Sequence, residues 1–435
     1  MSNRILRSLR LNYDRVQHKR ENARLARKFT ADAKHHKDAL AYAHLHIFSL
    51  SMSGTRLDDS VKPSVNLVLP ELSAKGIFAG IRTALEFGCS LAEQTHRPLR
   101  LISLRGKSNG ADMTQAREYV EREFPREDGQ RTTVHAASEL GGVSVNSNDL
   151  WVATHWTTAH ALDVAKRLNI LRASQVVYLI QDYEPGFSPW STDHALARST
   201  YHAGFRLVVN STPLQDYLRK AEGIDVSGEF VFAPSIDVDR LKLASEARVP
   251  SSVPRVLFYG RPSKPRNMYA IGLSALYLVA DELRRRGVEG HFVSAGEPHQ
   301  DVQLSDTHTL VSKGKLPWDA YFKLLSNTDV VLCLQASPHP SHPPLDAVAA
   351  GCMAVTNEMG GTRAGRHPRL LVAEPYPDAL AARLLEAIDA MAQPEVARFD
   401  PAFAASLGGS LLQVVGNVVA SLKLPLSETT AAATA

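Results

Sequence analysis

The sequence predicts an α/β protein of two domains, each a doubly wound parallel sheet with helices on both faces. Short apolar runs alternate with amphipathic helical stretches from Val61 onward, which is the pattern of strands joined by crossover helices. The alternation stops in a loop rich in Pro, Ser and charge, residues 233–254, and then restarts, as expected of an interdomain hinge. A chain of 435 residues is long enough for two or three domains with full cores.

The first 60 residues are predicted to form a basic helical arm. Residues 1–38 carry eleven Lys and Arg against four Asp and Glu, whereas the whole chain has a net charge of +4. Apolar residues recur at helical spacing between Ile5 and Val16, so the arm favours peripheral contact with an anionic membrane surface. The alternatives are a solvated arm or a disordered tail. Nucleic acid is not an expected partner, because aromatic residues are not interleaved with the basic ones and the remaining chain is net acidic.

The first domain is predicted over residues 61–240. Its expected strands are Asn66–Leu69, Leu99–Leu104, Leu150–Thr154, Val176–Ile180 and Leu207–Asn210. Its expected helices are Ile77–Ala92, Met113–Glu123, Thr158–Leu168, Asp193–His202 and Pro213–Ala221. Ligands of such folds bind at the carboxyl ends of the strands, so the loops at those ends are candidate sites.

Three of these loops carry candidate site residues. They place a glycine, a histidine, carboxylates and aromatic rings directly after strands: Gly76, His155, Trp156, Gln181, Asp182, Tyr183 and Glu184. Carboxylates beside flat aromatic rings are suited to carbohydrate hydroxyls and ring faces. The structural alternatives are an ordinary turn for the glycine loop, a carbonyl-bonded histidine, and a turn that caps the helix at Asp193.

The second domain is predicted over residues 241–407. Its expected strands are Val256–Tyr259, Phe292–Ala295, Thr309–Ser312, Asp329–Leu334, Met353–Thr356 and Leu370–Ala373. Its expected helices are Tyr269–Arg286, Trp318–Ser326, Pro344–Ala350 and Tyr376–Met391. A further helix over residues 408–424 is expected to pack back on the first domain, followed by a disordered tail over 425–435.

Two stretches of the second domain predict phosphate binding. In GRPSKPRN, the cations Arg261, Lys264 and Arg266 lie in one strand–helix loop, and packed cations repel one another unless an anion bridges them. Further on, Pro344 opens a short helix after a buried strand, and a helix N-terminus favours an anion. Asp346 in that helix could accept hydrogen bonds from ribose hydroxyls. The alternatives are a solvated basic loop and a carboxylate that only complements the helix dipole.

These motifs also carry a resemblance. PPLDAVAAG followed by a buried strand resembles the nucleotide-sugar motif of retaining GT-B glycosyltransferases, and SPHPSHPPLD and QDYEPGFSPWSTDHALARSTY are closer still to WsaF-type rhamnosyltransferases. The resemblance spans roughly residues 61–425. It implies two Rossmann-like domains, a dTDP-β-L-rhamnose donor, a growing glycan or lipid-linked glycan acceptor, retention of configuration, and no metal or other cofactor.

The resemblance also implies a role for each candidate site residue. Catalytic roles fall on His155, Asp182 and Glu184. Donor binding falls on Gly76, Gly260, Arg261, Lys264, Arg266, Lys315, Leu316, Pro344, Leu345 and Asp346. Acceptor binding falls on Gln181, Tyr183 and Trp156. The chain departs from the wider pattern at Pro338, where an acidic residue usually precedes the helix carboxylate by eight positions.

Two alternatives to this function are a non-catalytic sugar-nucleotide-binding scaffold and an enzyme with a different nucleotide-sugar donor. An NAD-dependent oxidoreductase is disfavoured because the glycine fingerprint is missing. The three scattered cysteines indicate neither a disulfide framework nor a metal site. With no apolar run of spanning length and no signal peptide, a cytoplasmic location is expected, with possible peripheral attachment at the inner face of the plasma membrane.

Overall fold

The structure, a computed structural model, describes residues 20, 24, 48–49, 51–73, 79–105, 110–127, 129–130, 132–391 and 399–422. The chain divides into a first unit, residues 1–208 with 411–435, and a second unit, residues 209–410. Of the predicted arm over residues 1–60, the structure describes residues 20, 24, 48–49 and 51–60; the rest of the arm lies outside the described residues, as do Gly76 and the tail.

The strands and helices follow one another in the predicted alternation. The strands are β1 (Arg56–Leu57), β2 (Val65–Glu71), β3 (Leu99–Arg105), β4 (Thr132–Ala136), β5 (Ser144–Val145), β6 (Leu150–Ala153), β7 (Val176–Ile180), β8 (Arg206–Asn210), β9 (Val231–Phe232), β10 (Arg255–Gly260), β11 (His291–Gly296), β12 (Val302–Gln303), β13 (Thr309–Ser312), β14 (Val330–Leu332), β15 (Met353–Asn357) and β16 (Leu370–Ala373). The helices are α1 (Ala79–Gln94), α2 (Gly110–Glu123), α3 (Trp156–Arg167), α4 (Thr192–Tyr201), α5 (Thr212–Glu222), α6 (Val238–Glu246), α7 (Tyr269–Arg286), α8 (Trp318–Ser326), α9 (His342–Ala349), α10 (Pro377–Met391), α11 (Ala402–Ala405) and α12 (Leu411–Ser421).

The first sheet has the strand order β4-β3-β2-β6-β7-β8-β9, and β2 pairs in parallel with both β3 and β6. Strands β6 and β7 are buried along their whole length, as a parallel sheet covered on both faces requires. Helix α12 packs within this unit against α1, where the Gln94 amide donates to the Leu412 carbonyl at 3.5 Å. At the point of approach stands Gly416, and a Cβ there would meet the Gln94 side chain at 3.6 Å.

The second sheet has the order β12-β13-β11-β10-β14-β15-β16, with β12 as an antiparallel edge. Alternate residues of β10 separate onto the two faces: Phe258 joins the core formed with α7 and α10, and Leu257 joins the core formed with α6, α8 and α9. Successive side chains of a strand point to opposite faces, so one set of strands packs against a layer of helices on each face of the sheet. Both units therefore confirm the predicted doubly wound α/β class.

The predicted hinge loop differs from the structure. Helix α6 forms within residues 233–254, because the Asp237 carboxylate accepts from the Arg240 N–H and Leu241 is fully buried. The division between units falls inside β8, at Val208. Backbone bonds tie the chain after that point to the end of the second unit, where the Thr212 N–H donates to the Leu407 carbonyl at 2.8 Å.

Spanning a bilayer needs about 20 apolar residues in a helix. Across the part of the chain that the structure describes, every helix falls short of that combination of length and apolarity.

Candidate functional site

The two predicted phosphate-binding stretches meet in the second unit. Strands β10 and β14 are neighbours in the sheet although they are not consecutive in sequence, which makes their carboxyl ends the topological switch point where such sheets bind ligands. The loops that leave these ends are bonded to each other. The Ala336 N–H donates to the Arg266 carbonyl at 2.7 Å, and the Asn267 amide donates to the Leu334 carbonyl at 3.3 Å. The basic loop and the segment that opens α9 are thus one structure.

Paired glycines shape the start of the basic loop. Gly260 and Gly296 lie opposite each other at the ends of β10 and β11. A Cβ at Gly260 would lie 2.4 Å from the Ser294 hydroxyl, and one at Gly296, whose φ is +134°, would lie 2.7 Å from the Gly260 carbonyl. Only glycine tolerates such an approach and such a backbone angle. The close approach brings the residue after β11, Glu297, beside the basic loop.

Glu297 is a functional candidate that the sequence did not reveal. Its carboxylate accepts from the Ser263 N–H at 2.9 Å and from the Ser263 hydroxyl at 2.8 Å, and it lies 3.7 Å from Arg261 Nε. The Ser263 hydrogen bonds, with the charges of Arg261 and Lys264, hold the pKa of Glu297 below its ordinary value. An anion beside these cations therefore need not come from a ligand. Within the described residues the protein supplies one anion itself.

Helix α9 begins earlier than predicted. It starts at His342 rather than Pro344 and ends at Ala349, with Ser341 before it at φ +64°. Two consecutive prolines in the first turn are tolerated because those N–H groups have no partner within the helix. The side chain of Leu345 is 1% exposed and packs in the core. Any contact of Leu345 with a donor therefore has to come from its backbone.

Asp346 is buried rather than open to solvent. One carboxylate oxygen accepts from the Tyr321 hydroxyl at 3.0 Å, and the residue is 5% exposed. Burial raises the pKa of Asp346 to about 7; the Tyr321 hydrogen bond acts in the opposite direction, and nearby Asp237 adds to the rise. Tyr321 is a further residue that the sequence analysis missed, since its contact with Asp346 crosses from α8 to α9.

A buried arginine holds the proline-rich loop that precedes α9. Arg363 is 2% exposed. Its guanidinium donates to six oxygens, namely the Gln335 carbonyl at 3.1 Å, the Ser337 carbonyl, the His339 carbonyl at 3.1 Å, Thr356 Oγ1 at 3.2 Å, the Asn357 carbonyl at 2.7 Å and Asn357 Oδ1 at 3.1 Å. Three of these oxygens are alternate carbonyls of one loop, so a single side chain fixes the whole approach to the helix.

The segment that carries Arg363 is itself built around a carboxylate. Glu358 accepts from the N–H groups of Met359, Thr362, Arg363 and Ala364 at 2.7–3.2 Å. Partial burial acts to raise the pKa of Glu358, but these backbone donors outweigh it, and the pKa lies below its ordinary value.

Lys315 and Leu316 follow β13 at the same edge of the second sheet. The Gly296 N–H donates to the Gly314 carbonyl at 2.9 Å, which keeps this segment next to Glu297. The Lys315 side chain is exposed, whereas Leu316 is half-buried and packs on the core. The structure thus brings the predicted donor residues of the second unit to one sheet edge, with Leu316 and Leu345 turned inward.

In the first unit, His155 lies between β6 and α3 and caps the helix. Its Nδ1 accepts from the Thr157 N–H at 3.3 Å and lies 2.9 Å from the Thr157 hydroxyl. Since Nδ1 accepts, the neutral ring carries its proton on Nε2, which makes Nε2 a hydrogen-bond donor. Phe187 stacks on the ring with centroids 6.0 Å apart.

Glu184 and Trp156 are internal residues. Glu184 is 4% exposed, and its carboxylate accepts from the Trp156 N–H and, at 2.9 Å, from the buried Tyr178 hydroxyl. Trp156 is 8% exposed, so its ring is not a surface on which a sugar could stack. Burial leaves Glu184 with the role of holding the first turn of α3, the helix that His155 caps.

The rest of this loop is more accessible. The Gln181 amide donates to the Gly80 carbonyl at 2.8 Å, and the Asp182 carboxylate accepts from the Tyr183 N–H at 2.8 Å. Trp190 is 93% exposed and stacks on His194 with centroids 5.1 Å apart. The sequence analysis did not single out Trp190. The signal that could have identified it is an aromatic residue between Pro189 and Ser191 in a polar loop.

Comparisons with known proteins agree with this architecture. Residues 64–211 match the family described as WsaF, N-terminal domain, and residues 254–385 match WsaF, C-terminal domain. The O-antigen biosynthesis protein RfbC of Myxococcus xanthus is 33% identical over 243 residues, 55% of this chain, and the match spans 18% of that relative's length.

Two solved structures share the fold across 83% of this chain. One is sucrose-phosphate synthase from Thermosynechococcus elongatus, with a TM-score of 0.53, 12% identity and 99% of that chain covered. The other is Anabaena Alr3699/HepE in complex with UDP and glucose, with a TM-score of 0.52, 14% identity and 100% of that chain covered. At such identity they establish the GT-B fold alone. With both WsaF domains matched in order and the predicted fold observed, this chain belongs to the WsaF family.

Proposed function

We propose that this chain is a metal-independent glycosyltransferase that transfers L-rhamnose from dTDP-β-L-rhamnose, with retention, onto a growing cell-surface glycan. The observation that carries the proposal is the bonded pair of loops at the switch point of the second sheet: the loop that contains Arg261, Lys264 and Arg266 is hydrogen-bonded to the segment that precedes α9. Hydrogen-bond donors, cations and a helix N-terminus at one sheet edge suit the two phosphates of a sugar nucleotide. The WsaF match and the RfbC relative support a role in glycan assembly.

In such a transfer, separate residues stabilise the leaving diphosphate, orient the nucleotide and bind the acceptor. Negative charge develops on the diphosphate as the sugar–phosphate bond breaks, and cations placed there stabilise the transition state. Arg261 and Arg266 fill this role, and Asp346 orients the ribose. In the first unit, Nε2 of His155 donates to a sugar hydroxyl, while Gln181, Asp182 and Tyr183 bind the acceptor. The exposed Trp190 ring adds a stacking face for a sugar.

Replacing Arg266 by alanine should weaken dTDP binding by about ten- to a hundredfold, since a hydrogen bond to a charged group contributes roughly 1.5–3 kcal/mol. Arg261→Lys should give an intermediate loss, because an ammonium lacks the planar fork of a guanidinium. Calorimetric titration with dTDP and with thymidine checks this, since thymidine has no phosphate to lose.

The control for these variants is Arg286→Ala, which removes an exposed arginine paired with Asp389 at 3.1 Å in the same unit. It should bind dTDP as the wild type does. Unchanged dTDP affinity in both loop variants would refute the diphosphate site. Release of free dTDP from dTDP-rhamnose in the presence of acceptor then separates a catalyst from a binding scaffold.

His155→Asn should lower turnover by about ten- to a hundredfold and leave dTDP affinity unchanged. Asparagine is a good N-cap, so the variant keeps the start of α3 and removes the imidazole with its Nε2 donor, which is worth roughly 1.5–3 kcal/mol if the sugar is charged in the transition state. His155→Ala removes the cap as well and should also melt earlier. Full turnover in His155→Asn, measured by dTDP release, would exclude His155 from the reaction.

A further inference from the structure

The basic loop of the second unit already has an anion beside it. The Glu297 carboxylate takes two hydrogen bonds from Ser263, at 2.9 and 2.8 Å, and lies 3.7 Å from the Arg261 guanidinium. A backbone N–H, a hydroxyl and a guanidinium are the groups that bind phosphate oxygens in proteins. Glu297 therefore occupies donors of the kind that a diphosphate would use.

Backbone hydrogen bonds hold Glu297 beside this loop. Its N–H donates to the Gly260 carbonyl at 3.0 Å, and the preceding Gly296 N–H donates to the Gly314 carbonyl at 2.9 Å. The Gly260–Gly296 pair closes the gap between the two strand ends. Only rotation of the side chain can withdraw the carboxylate, so its charge stays within reach of any anion bound by Arg261.

We propose that Glu297 is a resident counter-anion that competes with the diphosphate of the nucleotide for Arg261 and Ser263. The inference rests on the proposed function and deepens it. While the site is empty, the carboxylate offsets the repulsion among the loop's cations and holds the loop in its binding shape. When a nucleotide binds, the same charge opposes it and limits its affinity.

Limited affinity for the nucleotide is an advantage after the sugar has been transferred, when the nucleoside diphosphate product has to leave. The nucleoside diphosphate product keeps the diphosphate that the loop binds, and product release limits turnover in many enzymes. A fixed negative charge next to the diphosphate speeds that release. The free diphosphate of the product carries more negative charge than the diester of the sugar nucleotide, so the Glu297 charge weakens product binding more than substrate binding.

Glu297→Gln tests the proposal in the full-length protein. Glutamine loses the charge, keeps one oxygen that accepts from the Ser263 N–H, and presents an NH2 that can donate to the Ser263 hydroxyl. We expect Kd for dTDP and for UDP to fall roughly three- to tenfold at low salt, because one like charge close to the diphosphate is gone. The gain should shrink as salt is raised, since salt screens partly exposed charges. Kd for thymidine should not change.

The matched control is Glu282→Gln, which removes a carboxylate of similar exposure, 23% against 21% for the side chains, whose partners are Arg285 and Arg286 on α7. It should leave every Kd at the wild-type value. Normal wild-type binding with an unchanged or raised Kd in Glu297→Gln would overturn the inference alone. Wild-type protein that binds neither dTDP nor UDP would overturn it together with the proposed function.

Discussion

Arg363→Lys should lower the free energy of unfolding of the second unit by about 3–5 kcal/mol, because several buried oxygens lose their donor and each unsatisfied one costs about 1–3 kcal/mol. The guanidinium of Arg363 donates to six oxygens, and an ammonium has three donors on a single nitrogen. The carbonyls of Gln335, Ser337 and His339 would lose their shared partner, and unsatisfied buried acceptors are costly. At about 2–4 °C per kcal/mol for a unit of this size, the melting temperature should fall by roughly 10 °C.

Differential scanning calorimetry measures this change, and Arg286→Lys on the exposed side of α7 is the control. Nucleotide binding gives a second readout. Because Arg363 shapes the loop that opens α9, the variant should lose dTDP affinity even at temperatures where the unit is folded. A variant that melts with the wild type would show that water or a rearranged loop replaces the guanidinium.

Asp346→Asn should stabilise the second unit at pH 8 while weakening donor binding. Burial raises the pKa of Asp346 in the folded state to about 7 from an ordinary value of 3.8. Between these values the folded state holds a proton that the unfolded state has lost, so this group's contribution is full at low pH and is lost as pH rises through 7. Above pH 7 the buried carboxylate costs up to roughly 4 kcal/mol, and asparagine removes that cost while still accepting from Tyr321.

The predicted signature is a pH-dependent difference between variant and wild type. The two should melt together near pH 4, and the variant should melt higher at pH 8. Asp301→Asn, which removes an exposed carboxylate of the same unit, should not reproduce this gain. A variant that is less stable than wild type at pH 8 would contradict the raised pKa. A carboxylate held at such a cost is expected where binding requires it.

The sequence was sufficient for what depends on local pattern. The buried run at Val330 and the cation cluster from Arg261 to Arg266 predicted a strand and a binding loop, because apolar continuity and charge spacing are visible in one stretch of chain. Helix α6 was missed, since prolines and serines surround it and Leu241 alone marks its buried face clearly. Strand β4 was missed too, because an edge strand with the sequence TTVHA has little apolar content.

The site residues that the sequence could not reveal contact partners that lie far away in the sequence. Glu297 is identified only once the register of β10 and β11 is known, and Arg363 only once its loop folds back over residues 335–339. The same limit explains the internal position of Glu184: its partners Trp156 and Tyr178 come from two other elements, and a carboxylate after a strand looks alike whether it faces solvent or a helix N-terminus. Burial of a polar group depends on its partners, and those are set by tertiary structure.

The helix Leu411–Ser421 also bears on how the protein is made. It belongs to the first unit but is separated from the rest of that unit by the whole of the second. A ribosome therefore finishes the second unit, residues 209–410, before it delivers the strip of Val414, Val415 and Val418 that is buried in the finished protein. The apolar surface of α1 therefore stays uncovered while about 300 further residues are synthesised, at a rate of about 5–20 residues per second. The unit that begins first in the chain is thus completed last, and its exposed α1 surface is where a chaperone would be expected to bind the nascent chain.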